Sequence, residues 1–321
     1  MPGTFGGAPA LTTRRGRTRP AGRGHAEEGF FRLGAVIAVV ALIVAGGLIW
    51  VWTKGSVGVL PVRPHCTATT DGAPGELTPE QTGNAAIITA VAVRRGLPAR
   101  AASIGIATAL QESKLRNIEY GDRDSLGLFQ QRPSQGWGTP EEILDPVYAT
   151  NAFFDVLIKI DGYENLPITE VAQEVQKSAY PDAYARHEPQ ARIFASALTG
   201  FSPGALTCTL STTDGERAEA GQDGMTPRAS AVAAAAARET GRSGTAGGAD
   251  GDQVQFTLAG RDGLRLSWSL AEWAVARADA LDIVAVQVDG KRWRRDRPGE
   301  GWTAVENGPA TGTVVVSVAN G

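Results

Sequence analysis

Chemistry in this sequence is most readily built around Glu112. From about Ala99 to Leu115 the apolar positions Ile104, Ala107, Leu110 and Leu115 recur at helical spacing, which predicts a buried helix with Glu112 near its C-terminal end. Desolvation by Leu110 and Leu115, and the negative end of the helix dipole, both disfavour an ionised carboxylate there. A carboxylic acid that keeps its proton near neutral pH can donate it to a leaving group, which is general acid catalysis. Glu119, Asp122 and Asp124 are near in sequence if a second acid takes part. The bland alternative is a glutamate that is simply a solvated charge on a helix.

Glu112-Ser113, followed by a polar turn and then Gly127-Leu128-Phe129-Gln130, resembles the pattern of soluble lytic transglycosylases and goose-type lysozymes. Phe129 stands where that family usually has methionine, and the offset from Glu112 to Gln130 looks like the family's. The nearest match to its third element, Ala-Tyr-Asn, is Ala179-Tyr180-Pro181, with proline in place of asparagine. The resemblance covers about Thr78 to Cys208. It implies a lysozyme-like helical domain that cleaves peptidoglycan glycan strands between N-acetylmuramic acid and N-acetylglucosamine. Glu112 would be the acid, and Tyr180 or Tyr184 would orient it. Ser113 would contact the substrate, Gln130 would hydrogen-bond a sugar or the acid, and the product would be an anhydro sugar. Tyr184 can equally be a core aromatic. Arg132, Gln135 and Trp137 follow in a loop that could rim a saccharide site, although loop tryptophans also plug core edges. No cofactor or metal is expected. The rival reading is a non-catalytic wall-binding or scaffold protein that keeps the fold.

The elements that must position these residues are announced by local chemistry. Thr78-Pro79-Glu80-Gln81 is a capping box with proline at the first helical position, and its helix should stop near Gly96-Leu97-Pro98. Thr139-Pro140 and Asp145-Pro146 open further helices, and others follow at about 169–178 and 182–198. The fold class expected is mainly α: a lysozyme-like domain after a single transmembrane helix, plus a small α+β C-terminal domain.

Leu33 to Thr53 carries no charge, is rich in Val, Ile, Ala and Leu, and is preceded by arginines and closed by Trp50 and Trp52. It reads as a span with the N-terminus cytoplasmic and the rest outside, the alternative being a cleaved signal peptide. The organisation expected is therefore a disordered tail at 1–29, a span at 30–53, a membrane-proximal linker at 54–75, the lysozyme-like domain at 76–208, a flexible linker at 209–250, and the small domain at 251–321. The two cysteines, Cys66 and Cys208, would both lie outside and are most economically read as a disulfide. The linker is assigned because 209–250 has almost no large apolar residue.

In the last segment Asp289-Gly290, flanked by alternating residues, predicts a hairpin. Its Trp268, Trp273 and Trp293 segments look like a C-terminal domain of actinobacterial cell-wall proteins, distantly similar to zinc endopeptidases of peptidoglycan. The three histidines, His25, His65 and His187, lie outside this module, so a binding or spacer role is expected. A net charge of −3, with mixed signs along the chain, gives no footprint for nucleic acid. The partners expected are glycan strands and the cytoplasmic membrane.

Overall fold

The computed structural model describes residues 37–47, 63–176, 181–213 and 217–320. Contacts divide the chain into two units, Met1–Pro61 and Val62–Gly321. Of the first unit only a helix at 37–47 (α1) is described, with Ile37, Leu42 and Ile43 exposed. Among the described residues no helix is long and apolar enough to cross a membrane. At about 1.5 Å per residue the stretch 37–47 rises roughly 16 Å, half the ~30 Å of a hydrocarbon core. The rest of the expected span, and the expected tail at 1–29, lie outside the described residues.

The second unit opens with a hairpin, β1 (His65–Thr70) and β2 (Ala73–Leu77), where a linker was expected. Asp71 and Gly72 turn it with φ of 49° and 76°, the left-handed pair that a two-residue type I′ turn requires. Then come α2 (Pro79–Arg94), α3 (Ala99–Ser113), α4 (Pro140–Ile143), α5 (Pro146–Leu157), α6 (Ile168–Gln176), a 3₁₀ helix (Pro181–His187) and α7 (Glu188–Leu198). The Thr78–Gln81 and Thr139–Glu142 capping boxes both form, and Asp145 caps α5 by accepting from the N–H groups of Val147 and Tyr148. Strand β3 (Leu206–Thr209) returns to β1, giving a three-stranded antiparallel sheet in the order β2-β1-β3. Cys66 and Cys208 are register partners across β1 and β3 and are joined by a disulfide, with Cα atoms 4.0 Å apart.

The expected linker instead contains α8 (Pro227–Thr240), which buries Ala229, Val232 and Ala236 at helical spacing against α2. After it come β4 (Thr245–Gly247), β5 (Gln253–Thr257), α9 (Gly263–Ala276), β6 (Ile283–Val288), β7 (Lys291–Arg294), β8 (Trp302–Ala304) and β9 (Thr313–Val318). The strands form a six-stranded antiparallel sheet in the order β4-β5-β9-β6-β7-β8, and the Asp289-Gly290 hairpin joins β6 to β7. Two antiparallel sheets make the fold α+β, which corrects the mainly α class, and among the described residues no helix answers to the expected span.

The sheet-bearing half is not a separate module, because α9 packs against α2, α7 and β3. Gly200, at φ +78°, lies so close to α9 that a Cβ there would come within 2.1 Å of the Arg265 carbonyl oxygen. Ser269 Oγ donates to the Leu198 carbonyl at 2.7 Å, and Trp302 Nε1 donates to the Leu206 carbonyl at 2.9 Å. The fully buried Glu272 accepts the Ala205 N–H at 2.9 Å, and burial pushes its carboxyl well above the usual range despite that bond. Trp273 Nε1 donates to Glu239 Oε2 of α8 at 2.7 Å. Deleting 251–321 is therefore expected to abolish the folded state, by exposing Leu198, Leu206 and the small-residue face of α2. A cooperative thermal transition retained by the truncated chain would contradict this.

Candidate active site

Glu112 occupies the last turn of α3, and the end of that helix is unusual. Lys114 and Leu115 both take left-handed conformations, with φ of 56° and 60°. Non-glycine residues adopt this region at a cost of order 1–3 kcal/mol each and hold it only where the surroundings dictate it. Here α2 dictates it: Gln81 Nε2 donates to the Lys114 carbonyl at 2.8 Å, and Asn84 Nδ2 donates to the Leu115 carbonyl at 3.0 Å. Leu115 is fully buried, which fixes the turn from below.

The carboxyl of Glu112 is partly buried and closely held. Tyr184, fully buried on the 3₁₀ helix, donates its hydroxyl to Glu112 Oε1 at 2.5 Å. Gln176, the last residue of α6, also hydrogen-bonds the Glu112 side chain, and its Nε2 donates to the Phe129 carbonyl at 2.6 Å. Burial raises the Glu112 pKa above that of an ordinary glutamate, and the bonds from Tyr184 and Gln176 oppose the rise without cancelling it. The net direction favours the protonated acid.

Gln176 also lines a cleft of about 470 Å³, together with Gln135, Trp137, Val156 and Glu174. Glu112 does not line this cleft, and Gln176 connects the two. Trp137 combines both roles considered for it: it lines the cleft and packs its inner part against the core.

The other expected site residues fall differently. Ser113 is buried, and its hydroxyl lies 2.7 Å from the Leu128 carbonyl and 3.1 Å from the Ala109 carbonyl, so it pins the 126–131 loop to α3. Gln130 sits at φ 49° with Nε2 donating to the Tyr120 and Gly127 carbonyls, both at 3.3 Å, so it closes its own loop. Gly127 is required there: its φ is +73°, and a Cβ would lie 2.7 Å from the Ile143 carbonyl oxygen. Arg132 Nε donates to Asp124 Oδ1 at 2.7 Å, while the Ser134 N–H donates to Asp124 Oδ2 at 2.9 Å. These bonds hold the Asp124 carboxyl far below the usual range, so it stays ionised and engaged. Glu119 and Asp122 are exposed. Tyr180 lies outside the described residues.

No protein-family model matches the chain, and no curated protein matches it significantly. The site's chemistry therefore rests on its own geometry. Among the described residues no group of three or more His, Cys, Asp or Glu could hold a metal ion.

Sequence reasoning missed Gln176, Asn84 and the pair Gln111 and His187. Gln111 Oε1 lies 2.9 Å from Arg186 Nη2 and 3.2 Å from His187 Nε2, which fastens the far end of the 3₁₀ helix beside Glu112. Burial, and secondarily the Arg186 charge, lower the His187 pKa and favour the neutral ring. The only local signal was Gln81, whose cap role hid its second bond to α3.

Proposed function

We propose that the folded unit cleaves peptidoglycan glycan strands, as the resemblance to lytic transglycosylases implies, with Glu112 as general acid. The observation that carries this reading is a partly buried carboxyl, biased toward its protonated form and oriented by a 2.5 Å bond from Tyr184. In the proposed step Glu112 gives its proton to the glycosidic oxygen as the C1–O bond breaks. A hydroxyl of the same sugar then closes onto C1 and returns a proton to Glu112, so an anhydro sugar forms and no water is consumed. Support for this product over a hydrolysed one is that, of the acids near Glu112 in sequence, Asp124 is held by Arg132 and Ser134 while Glu119 and Asp122 are exposed.

We also propose that the unit works outside the cytoplasm, beside the membrane; a disulfide that persists belongs to oxidising compartments. A non-catalytic wall-binding role is the second reading. It is favoured by Ser113 and Gln130, whose hydroxyl and Nε2 are spent on the backbone carbonyls of neighbouring turns.

The pH dependence of fragment release from purified peptidoglycan tests the catalytic reading. A general acid works only while protonated, so the rate should hold as pH rises past the ordinary glutamate value of 4.5 and then fall through the raised pKa of Glu112. Tyr184→Phe removes a bond that favours the carboxylate and should move the falling limb to higher pH. A limb centred on 4.5 in both proteins would contradict the assignment.

A further inference from the structure

The six-stranded sheet has a second concave site, on the face turned away from α9. Along its strands Val254, Phe256, Val286, Trp293, Val314 and Val316 point into the core, and the alternate residues point to the other side. Strand register sets Gln287 between Val315 and Arg292, and Ser317 between Gln253 and Ala285. All of these register partners but Val315, with Thr212, Thr213 and the Arg294–Asp296 turn, bound a cleft of about 470 Å³.

Three guanidinium groups line this cleft against one carboxylate. Arg295 is buried and satisfied, donating to the Ser211 carbonyl at 2.7 Å, the Ala278 carbonyl at 2.8 Å and Asp279 at 3.3 Å. Arg294 grips both oxygens of Asp296, at 2.8 Å and 2.5 Å. Arg292 makes no ion pair among the described residues, and its Nε is buried without a hydrogen-bond acceptor. The buried Nε is out of a ligand's reach, so the terminal nitrogens of Arg292 are the ones to meet a ligand, and a guanidinium fork matches a carboxylate with two parallel bonds.

We propose that this cleft binds the free carboxylate of a short peptide, with Arg292 as its anchor. The amides of Gln253 and Gln287 and the hydroxyl of Ser317 suit the donors and acceptors of a peptide unit, and Val284 and Ala285 suit a small apolar side chain. A bare phosphate would leave these groups unused. The cleft is of the size that takes small ligands, roughly 300 to 1,000 Å³. The proposal does not rest on glycan cleavage.

Calorimetric titration of the full chain with N-acetyl-alanyl-alanine tests it, with the C-terminal amide of that dipeptide and inorganic phosphate as the other arms. The free acid should bind at least tenfold more tightly than either. Arg292→Gln should weaken it at least tenfold. Gln287→Glu should do the same while keeping the guanidinium, by offering Arg292 a carboxylate of its own, and so decides the matter should Arg292→Gln fail to fold. Glu112→Gln should leave the affinity unchanged, which separates this site from the glycan reading. Absence of binding by the acid, equal binding of the amide, tighter binding of phosphate, or an affinity untouched by Gln287→Glu would each overturn the proposal.

Discussion

Glu112→Gln is expected to lower the rate of glycan cleavage by about 10² to 10⁴, the range that general acid catalysis contributes. The amide keeps the volume of the side chain and can still accept the 2.5 Å bond from Tyr184, so the site should retain its shape. What it loses is the transferable proton. Folding should not suffer. Because burial raises the folded-state pKa of Glu112 above its unfolded value, the carboxyl costs stability as pH rises from the unfolded pKa through the folded one. A neutral amide escapes that cost, so the variant should match or exceed the unmodified protein in thermal midpoint at neutral pH. Rate and melting curve together separate lost chemistry from lost structure.

Breaking the Cys66–Cys208 bond should lower stability more than changing any one side chain of the site. The two residues are 142 apart in sequence, and on the chain-entropy model a loop of that length constrains the unfolded chain by about 5 kcal/mol. The bond ties β1 to β3, and β3 is continuous with the loop whose N–H groups hold Glu272. Cys66→Ala with Cys208→Ala, or reduction of the unmodified protein, should lower the thermal midpoint by roughly 10 to 20 °C for a unit of this size. Thiol alkylation of the purified protein should be negligible until a reductant is added. A reduced protein that melts at the same temperature as the oxidised one would remove the disulfide from the stability account.

The sequence revealed those elements whose determinants are local. Thr78, Thr139 and Asp145 start helices because a cap hydroxyl or carboxylate and a following proline act within three or four residues. Asp289-Gly290 turned as expected for the same reason, whereas Asp71-Gly72 offered the same turn unnoticed, because the flanking strand His65–Thr70 has no large apolar residue. Helix α8 showed only as the alanine run 231–237, which reads as a transient helix in a linker, because its buried side is alanine and valine, which suits close packing on α2. The fusion of the two halves depends on pairs such as Ser269 with Leu198 and Trp302 with Leu206, which no local pattern reports.

The candidate site divides in the same way. Glu112 was legible as a carboxyl ending an apolar helix. Its partner Tyr184 is 72 residues away and was only one of two candidates, and Gln176 carried no local signal at all. Ser113 and Gln130 were read as substrate contacts because a linear motif does not say where a side chain's bonds go. In the structure those bonds shape the loop that carries Phe129, whose carbonyl in turn positions Gln176.

Incubating the purified protein with purified peptidoglycan, and analysing the soluble products by mass, tests glycan cleavage by Glu112. The unmodified protein should release sugar fragments lighter than their hydrolysed counterparts by one water, and Glu112→Gln should release almost none. Fragment release by a folded Glu112→Gln protein at the unmodified rate, or no release by either protein, would contradict it.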